Sequence, residues 1–273
     1  MEKCLRLLRI SLWSSPLKFN IFASSVSNNQ GMKDFPLQSY YSDIFKSYDR
    51  VNRIFTFGRD RSWRKRAAQE LLKSGPGRVL DLCTGTGDFA LEVARQSSRN
   101  AGRIEMIAFD FNRDMLQEAE RKQSALHKKE KLADILFMEG DAGNMPFDDN
   151  EFDSMGITFG LRNLVYENSN ASKHLSEMNR VLRPGGQLVV LESSKPRSPL
   201  WRVFNDFYLR FILPYLGGLI SGNLKAYQYL ASSSKNYYTM KEMIKILNEA
   251  GFNLVQSRSL FLGSVMLLLL EKR

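Results

Sequence analysis

One glycine-rich turn carries the residue types that could bind a charged ligand. Residues 81–88 read DLCTGTGD, with an aspartate at each end and Gly85, Thr86 and Gly87 between them. Glycines allow a backbone to approach a ligand closely, and the helix that follows begins with free N–H groups. The two carboxylates would repel a pyrophosphate but attract a ligand with a cationic amino-acid end. The spacing also differs from the GxGxxG pattern of dinucleotide-binding turns, and the alternative is a tight turn without a ligand.

Polar side chains also stand where the predicted strands end. They are Asp81, Asp110, Asp141, Thr158 and Glu192. The ligand of an open parallel sheet binds outside the carboxyl ends of the strands, where an acidic side chain such as Asp110 can accept both hydroxyls of a ribose. Asp141 follows the next strand, near where a base ring would lie. A single aspartate at a strand end is usually a turn former or a helix cap, but several beside one glycine turn indicate a nucleoside site.

The elements that must position these residues alternate between strand and helix from Arg78 onward. Apolar runs predict strands over 78–82, 104–109, 135–138, 152–158 and 188–191, and two more around 253–257 and 262–270. Helical spacing predicts helices from about Asn112 and over 171–182, 200–213 and 239–250. This order predicts an α/β fold, with a mostly parallel seven-stranded sheet and helices on both faces. Because only about four residues separate the last two strands, they should form an antiparallel hairpin.

Composition narrows the classes of function. The 273 residues carry a formal net charge of +10, which suits nucleic acid, an anionic membrane surface or solubility alone. Cys4 and Cys83 are too few and too far apart for a disulfide framework, and the sequence predicts no metal site. His127 and His174 lie in polar helical stretches, and we interpret both as solvated side chains rather than catalytic bases. No apolar run reaches the roughly 18 residues that span a bilayer.

The first 33 residues differ in composition from the rest. Their basic side chains are opposed only by Glu2, and serines recur among them. This is typical of a mitochondrial transit peptide, and the alternative is a start site placed too early, with Met32 as the natural beginning. In either case we expect 1–33 to be an extension that contributes little to the fold. Residues 34–273 should form a single domain that includes N-terminal helices at about 39–73.

Four longer segments make the sequence recognisable. They are YDRVNRIFTFGRDRSW (48–63), FGLRN (159–163), RVLRPGGQLVVLESSKP (180–196) and AYQYLASS (226–233). With DLCTGTGD they resemble the membrane-quinone C-methyltransferases of ubiquinone and menaquinone biosynthesis, which are class I S-adenosylmethionine-dependent methyltransferases with a Rossmann-like fold. The resemblance extends from about Ser42 to the C-terminus. Asp60, Val51 and Thr56 stand where this family often has histidine, methionine and serine, which leaves the identity of the substrate ring open.

The resemblance implies a set of residues that bind the cofactor, S-adenosylmethionine (SAM). They are Asp81, Gly85, Thr86, Gly87, Asp110, Asp141, Ala142 and Thr158. The glycine turn would contact the methionine part of SAM, with Asp81 near its ammonium group and Asp110 on its ribose hydroxyls. Asp141 and Ala142 would bracket the adenine, and Thr158 would lie close to the methyl-bearing sulfonium.

The resemblance also implies the chemistry. The acceptor would be a ring carbon of a reduced prenylated quinone, activated by loss of a hydroxyl proton, so no side-chain nucleophile is required. Arg162 and Asn163 match the family position at which the ring enters. Arg162 would stabilise the phenolate, since a guanidinium stays charged and donates two bonds in a plane, and the alternative is a structural ion pair. The base that removes the ring proton would be Tyr48, Asp49 or a water held by Arg162.

Large apolar residues from Leu200 to Leu219 are interspersed with Arg197, Arg202 and Arg210. We interpret residues 197–235 as a lid and substrate region that touches lipid, with arginines facing phosphate headgroups; the alternative is an ordinary pair of core helices. The expected location is therefore cytoplasmic and peripheral, at the inner face of the membrane. If residues 1–33 are a transit peptide, it is instead the matrix side of the mitochondrial inner membrane.

The expected partners are a prenylated quinol and a membrane surface. The quinol would be demethylmenaquinol or 2-polyprenyl-6-methoxy-1,4-benzoquinol, and a homodimer or a quinone-biosynthesis complex is left open. Two alternatives are a class I methyltransferase of another lipid-like molecule and a non-catalytic scaffold of a quinone-synthesis complex. Nucleic-acid binding ranks last, because the basic residues are dispersed and no RNA-binding module accompanies the sheet.

Overall fold

A seven-stranded sheet is formed by the residues that the computed structural model describes, namely Ser42, residues 48–99 and residues 104–273 without the side chain of Tyr229. The strands are β1 (Gly77–Leu82), β2 (Ile104–Asp110), β3 (Ile135–Glu139), β4 (Phe152–Thr158), β5 (Leu182–Ser193), β6 (Phe252–Leu260) and β7 (Val265–Lys272). Their order is β3-β2-β1-β4-β5-β7-β6. The pairs among β1 to β5 are parallel, whereas β7 is antiparallel to both β5 and β6. The predicted α/β fold with a C-terminal hairpin is confirmed.

Successive side chains of the strands build a core on each face of the sheet. On β1, Leu80 and Leu82 pack into one apolar cluster, while Val79 packs into the other. Parallel strands buried on both faces read as continuous apolar runs, which is why the sequence revealed them. The strand order reverses between β1 and β4, and a ligand crevice opens at such a point, beyond the carboxyl ends of the strands.

Helical segments precede, connect and follow the strands. They are α1 (residues 48–55), α2 (Arg59–Leu71), α3 (Asp88–Arg99), α4 (Arg113–His127), α5 (Leu161–Val165), α6 (Ala171–Val181), α7 (Pro199–Phe207), α8 (Leu213–Ser221), α9 (Leu224–Asn236) and α10 (Met240–Glu249). The predicted cap of α4 is present, because Asn112 Oδ1 accepts a hydrogen bond from the Met115 N–H at 3.0 Å. α10 begins with a capping box formed by Thr239 and Glu242.

The RPGG segment at 183–186 differs from its prediction. α6 ends at Val181, as the proline requires, but β5 begins at once at Leu182 rather than at the predicted 188. Phe152 pairs with Leu182 and Ser154 pairs with Gln187, so that the intervening residues of β5 bulge from the ladder. Gly185 adopts a φ of 68°, which glycine tolerates, and thereby permits the bulge.

The region predicted as a lid consists of α7, a π-helical turn (Tyr208–Ile212), α8 and α9. Many of its large apolar side chains are exposed: Leu200, Val203, Phe204, Phe207, Phe211, Tyr215, Leu216 and Leu219. The alternative of an ordinary pair of core helices is therefore wrong for these side chains. α8 packs tightly on α9, because a Cβ at Gly217 would lie 2.5 Å from the ring of Tyr227.

The predicted extension at 1–33 lies outside the described residues, as do residues 39–41 and 43–47 of the predicted N-terminal helices. All the described residues belong to one compact unit. None of the helices in that part of the chain is long and apolar enough to cross a membrane.

Candidate functional site

The glycine turn is shaped by two glycines with different surroundings. Both have positive φ, 56° at Gly85 and 77° at Gly87. A Cβ at Gly87 would lie 2.7 Å from the Cβ of Ala119, so this glycine allows α4 to pack against the turn. A Cβ at Gly85 would meet nothing within 4 Å. The turn is therefore closed on the side of Gly87 and open to a ligand at Gly85.

Asp81 ends β1 as a fully buried carboxylate. Its Oδ2 accepts a hydrogen bond from Thr84 Oγ1 at 2.5 Å, whereas its Oδ1 makes no hydrogen bond within the described part of the chain. Burial raises the pKa of Asp81 to about 7, the Thr84 hydroxyl opposes this rise, and the negative charge of Asp110 adds to it. The backbone N–H of Ala90 also favours the ionised form, and Oδ1, which accepts no hydrogen bond of ordinary geometry from the described residues, fits the ammonium group that the resemblance assigns to this position.

Asp110 ends β2 and joins the neighbouring loops. Its carboxylate accepts hydrogen bonds from the N–H of Gly85 at 2.8 Å and from that of Asn112 at 2.9 Å. Its carbonyl accepts the N–H of Gly140, which follows β3, at 2.9 Å. Burial raises the pKa of Asp110 to about 6, while these backbone donors favour the ionised form. Phe111 adds a third backbone donor, and the four lone pairs of the carboxylate still leave one with which a ribose hydroxyl could bond.

Asp141 and Ala142 lie in the loop after β3, where sequence reasoning placed the adenine. Asp141 is half-buried, and its Oδ1 accepts the N–H of Gly143 at 2.8 Å. Nε2 of His174 lies 4.0 Å from the same oxygen. The interpretation of His174 as a solvated side chain is wrong, because the residue is 7% exposed and its Nδ1 bonds the Leu164 carbonyl at 2.9 Å. His127, by contrast, is exposed.

α1 connects the glycine turn to the rest of the site. Thr86 Oγ1 donates to Asp49 Oδ1 at 2.6 Å, and Lys122 of α4 pairs with both Asp49 and Asp88, the latter at 2.6 Å. Tyr48, the preceding residue, is half-buried. Burial raises the pKa of Tyr48, whereas a hydrogen bond with Asn52 and the charges of Arg64 and Arg162 lower it. Neighbouring residues of α1 thus act on the cofactor turn and on the predicted substrate arginine.

Thr158 ends β4, and the chain then turns sharply into α5, which carries Arg162 and Asn163. Phe159 has a φ of 58°, and a Cβ at Gly160 would lie 2.4 Å from the Cβ of Cys83, so the turn packs directly on the residue that follows β1. The buried Arg162 donates from its backbone N–H to Glu192 Oε2 at 3.1 Å and from its guanidinium to the hydroxyl of Ser234 in α9. β5 therefore fixes the backbone of Arg162, and α9 fixes its guanidinium.

Two of the three departures from the family pattern contact each other. The buried Asp60 accepts hydrogen bonds from Thr56 Oγ1 at 3.0 Å and from Arg64 Nη1 at 2.8 Å. The Arg64 guanidinium lies 5.2 Å from the centroid of the Phe159 ring, next to the end of β4. Asp60 thus holds a second cation near the site.

Sequence reasoning overlooked several residues that build the site. They are Thr84, Lys122, Arg64 and Ser234. Glu192 was visible as a polar residue at a strand end, but its contact with the Arg162 backbone was not. The spacing of the glycine turn was the one local signal for Thr84. The others come from elements far apart in the chain.

Comparison with known proteins agrees with this arrangement. Residues 29–269 match the ubiE/COQ5 methyltransferase family. A demethylmenaquinone methyltransferase from Thermus thermophilus is 40% identical over 214 residues, which cover 78% of this chain and 91% of that protein. A ubiquinone/menaquinone biosynthesis C-methyltransferase, UbiE, from Geotalea daltonii is 36% identical over 227 residues, 83% of this chain and 92% of that protein.

The solved structures support the fold independently of close sequence similarity. A SAM-dependent methyltransferase from Thermotoga maritima superposes with a TM-score of 0.58 at 17% identity, covering 87% of this chain and 100% of that one. At this identity the likeness shows the fold alone. The family match spans the glycine turn, FGLRN and the C-terminal hairpin strands, and the chain accordingly belongs to the ubiE/COQ5 methyltransferase family.

Proposed function

We propose that the protein transfers a methyl group from SAM to a ring carbon of a reduced prenylated quinone. The acceptor is demethylmenaquinol or 2-polyprenyl-6-methoxy-1,4-benzoquinol. The observation that carries the proposal is the position of α1, whose Asp49 accepts a hydrogen bond from Thr86 of the glycine turn at 2.6 Å, while the charge of the buried Arg162 lowers the pKa of the neighbouring Tyr48. A cofactor site and an anion-stabilising site are thus joined through two adjacent residues. The names of the family relatives favour a quinone as the acceptor.

The residues at the carboxyl ends of the strands fit SAM. Oδ1 of Asp81 offers a buried acceptor to the ammonium, and the open side of Gly85 admits the methionine part. Asp110 would hold the ribose, and Asp141 and Ala142 the adenine. When bound, SAM would supply an electrophilic methyl group, and Thr158 at the end of β4 is the residue that the resemblance assigns to its sulfonium.

Arg162 stabilises the negative charge that remains on the ring oxygen after its hydroxyl has given its proton to water. Its guanidinium is buried and fixed by Ser234, so the charge is already oriented when the acceptor enters. Asn163, the next residue of α5, would orient the ring. The protein would accelerate the reaction mainly by holding the acceptor carbon in line with the methyl group, because this proximity lowers the entropic part of the activation barrier.

The ring proton leaves after the carbon–carbon bond has formed. Burial raises the pKa of Tyr48, so its hydroxyl is suited to donate a hydrogen bond rather than to act as a base. Asp49 is engaged by Thr86 and Lys122, which suits a role in fixing the turn. We therefore favour a water held by Arg162 as the base, with Tyr48 and Asp49 as the alternatives.

The exposed apolar side chains of α7, the π-helical turn and α8 form what we call the apolar face, and we propose that it contacts lipid. They include Phe204, Phe207 and Leu219, which are 57%, 56% and 82% exposed. Arg197, Arg202 and Arg210 are exposed among them and could face phosphate headgroups. A prenyl tail would reach the site from this surface. This placement supports a peripheral location, at the inner face of the cytoplasmic membrane or on the matrix side of the mitochondrial inner membrane.

A methyl-transfer assay with labelled SAM tests the function. The protein is offered demethylmenaquinol and the demethylated benzoquinol in parallel, each also in its oxidised form. Label in a reduced ring and none in its oxidised partner is expected, because only the reduced ring yields a phenolate. If SAM binds but neither ring is methylated, a different lipid-like acceptor or a scaffold role replaces the quinone proposal.

A further inference from the structure

His174 lies between the loop predicted to hold the adenine and the helix that carries Arg162. Its imidazole is buried, with Nδ1 2.9 Å from the carbonyl of Leu164 in α5 and Nε2 4.0 Å from Oδ1 of Asp141. A Cβ at Gly143 would lie 3.3 Å from the imidazole Cδ2 and 3.4 Å from both carboxylate oxygens of Asp141. The ring and the carboxylate therefore both lie against Gly143, where a Cβ would crowd them.

The Leu164 carbonyl decides which nitrogen of His174 carries hydrogen. A carbonyl oxygen only accepts, so Nδ1 must donate, and Nε2 is the nitrogen directed at Asp141. At 4.0 Å there is no direct hydrogen bond between Nε2 and the carboxylate, and in the neutral ring Nε2 is an acceptor, so a water that donates to both Nε2 and Asp141 Oδ1 is the link that fits this spacing. The orientation of the ring is thus set from α5, while its second nitrogen acts on the adenine loop.

Two other side chains of α6 hold the same loop in a different way. Glu177 Oε2 accepts the N–H of Met145 at 2.8 Å, and Arg180 donates to the carbonyls of Met145 and Phe147 at 3.0 and 2.7 Å. Both contact the backbone of the loop, whereas His174 contacts the carboxylate of Asp141. Glu177 and Arg180 therefore anchor the backbone of the loop, whereas His174 acts on the side chain of Asp141.

We propose that His174 is a positioning residue for the adenine-binding carboxylate. It orients Asp141 for the exocyclic amine of the adenine and ties that carboxylate, through Leu164, to the helix of the substrate arginine. The role rests on the proposed function, in which Asp141 binds the adenine. Its consequence is that His174 affects cofactor affinity through Asp141 and leaves the acceptor chemistry at Arg162 intact.

The test measures binding of S-adenosylhomocysteine (SAH) to the full-length protein by calorimetry. In His174→Asn the side-chain amide can still donate to Leu164 but does not reach Asp141, so the Kd should rise about tenfold. In His174→Gln the longer amide reaches the position of Nε2, and the Kd should return to within about threefold of the wild type. The kcat for methyl transfer at saturating SAM should be unchanged in both variants.

A double-mutant cycle distinguishes positioning from a purely structural role. In an Asp141→Asn background, His174→Asn should add less than about twofold to the Kd. Glu177→Ala, which releases the backbone of the loop, serves as the matched control, and its effect should be equal in both backgrounds. S-inosylhomocysteine, which lacks the exocyclic amine, should bind the wild type and His174→Asn with equal Kd.

Two results would overturn the proposal. One is an unchanged Kd for SAH in a folded His174→Asn variant. The other is an effect of that substitution that is equally large in the Asp141→Asn background, which would assign His174 to packing alone. Failure of the wild type itself to bind SAH would contradict the proposed function and this role with it. The first titration, on the wild type, distinguishes that failure from a failure of the role of His174 alone.

Discussion

Burial raises the pKa of Asp81 to about 7, well above the value of about 3.9 expected for an unfolded chain. Between these two values the folded protein holds a proton that the unfolded chain has released. The free energy of unfolding of the unliganded protein therefore falls as pH rises through this window. A ligand ammonium at Oδ1 favours the ionised carboxylate, so cofactor affinity should rise as pH rises toward 8.

Asp81→Asn should separate stability from binding. At pH 8 the neutral amide removes a buried charge, and we expect the unliganded variant to gain about 1–2 kcal/mol, or roughly 2–8 °C in Tm. At pH 5, where the wild-type carboxyl is protonated, this gain in stability should disappear. At pH 8 the affinity of the variant for SAM should be at least about tenfold lower than that of the wild type, because the charge-assisted hydrogen bond is lost. Thermal melts at both pH values, with and without SAM, measure all three effects. A gain that is the same at pH 5 and pH 8 would contradict the assignment.

The sequence predicts residues whose role is local and misses those whose role depends on tertiary packing. Asp81 and Asp110 could be found because a strand end is visible as the end of an apolar run. His174 was predicted to be solvated because it lies in a polar helical stretch. Its burial depends on a carbonyl in a different helix, which the sequence does not reveal. Arg162 was found through the family resemblance, but its partner Ser234 lies in α9, and no spacing reveals that contact.

At the scale of the element, the glycine turn provides a matched pair of substitutions. Gly87→Ala should cost about 2–4 kcal/mol, because its φ is 77° and the new methyl would meet the Cβ of Ala119 at 2.7 Å. Gly85→Ala has open space and should cost only about 1 kcal/mol for its positive φ. The methyl at position 85 would fill the ligand side, however, and raise the Kd for SAM at least about tenfold. Denaturant unfolding and calorimetry measure both; equal stability losses would show that the turn is not closed at Gly87.

A second test at this scale concerns α1, which holds the glycine turn in place. Asp49→Asn keeps an acceptor for Thr86 but loses the charge that pairs with Lys122. We expect the KM for SAM to rise about threefold to tenfold, with kcat within about threefold of the wild type. Lys122→Met should act in the same direction. Steady-state kinetics distinguish this role of Asp49 from that of a general base, because removal of a general base would lower kcat by about 100-fold or more.

Elements were predicted well where apolar runs are long and poorly where the chain bulges. The hairpin of β6 and β7 follows from two strands with a short connection. The early start of β5 does not, because RPGG reads as a break between elements, although Leu182 already pairs with Phe152. A β-bulge depends on the neighbouring strand, and that strand is distant in sequence.

For the whole molecule, the apolar face predicts association with membranes. The double substitution of Phe204 and Phe207 by serine should lower binding to phosphatidylcholine vesicles with anionic phosphatidylglycerol at least about tenfold. Its stability should change by less than about 1 kcal/mol, since both rings are exposed. Val255→Ser on β6 is the control, with a similar exposure of 59%, and should leave binding unchanged. The apolar face would instead be an interface with a second copy of the chain if the wild type does not bind vesicles and forms dimers that dissociate in the double variant.

The architecture of the whole molecule followed from the order of strands and helices, but its surface did not. The same apolar residues of α7 and α8 suit a core and an exposed face equally well in sequence. Their exposure depends on which faces of the helices pack against each other, as Gly217 of α8 packs against Tyr227 of α9.

The most direct test of the central claim is methyl transfer by Arg162→Gln, compared with the wild type, from labelled SAM to a reduced acceptor. The substitution keeps a donor for Ser234 but removes the positive charge. We predict that kcat falls at least about 100-fold while the Kd for SAM stays within about twofold, because only the stabilisation of the phenolate is lost. An active Arg162→Gln enzyme, or a wild type that methylates the oxidised ring as fast as the reduced one, would contradict the account.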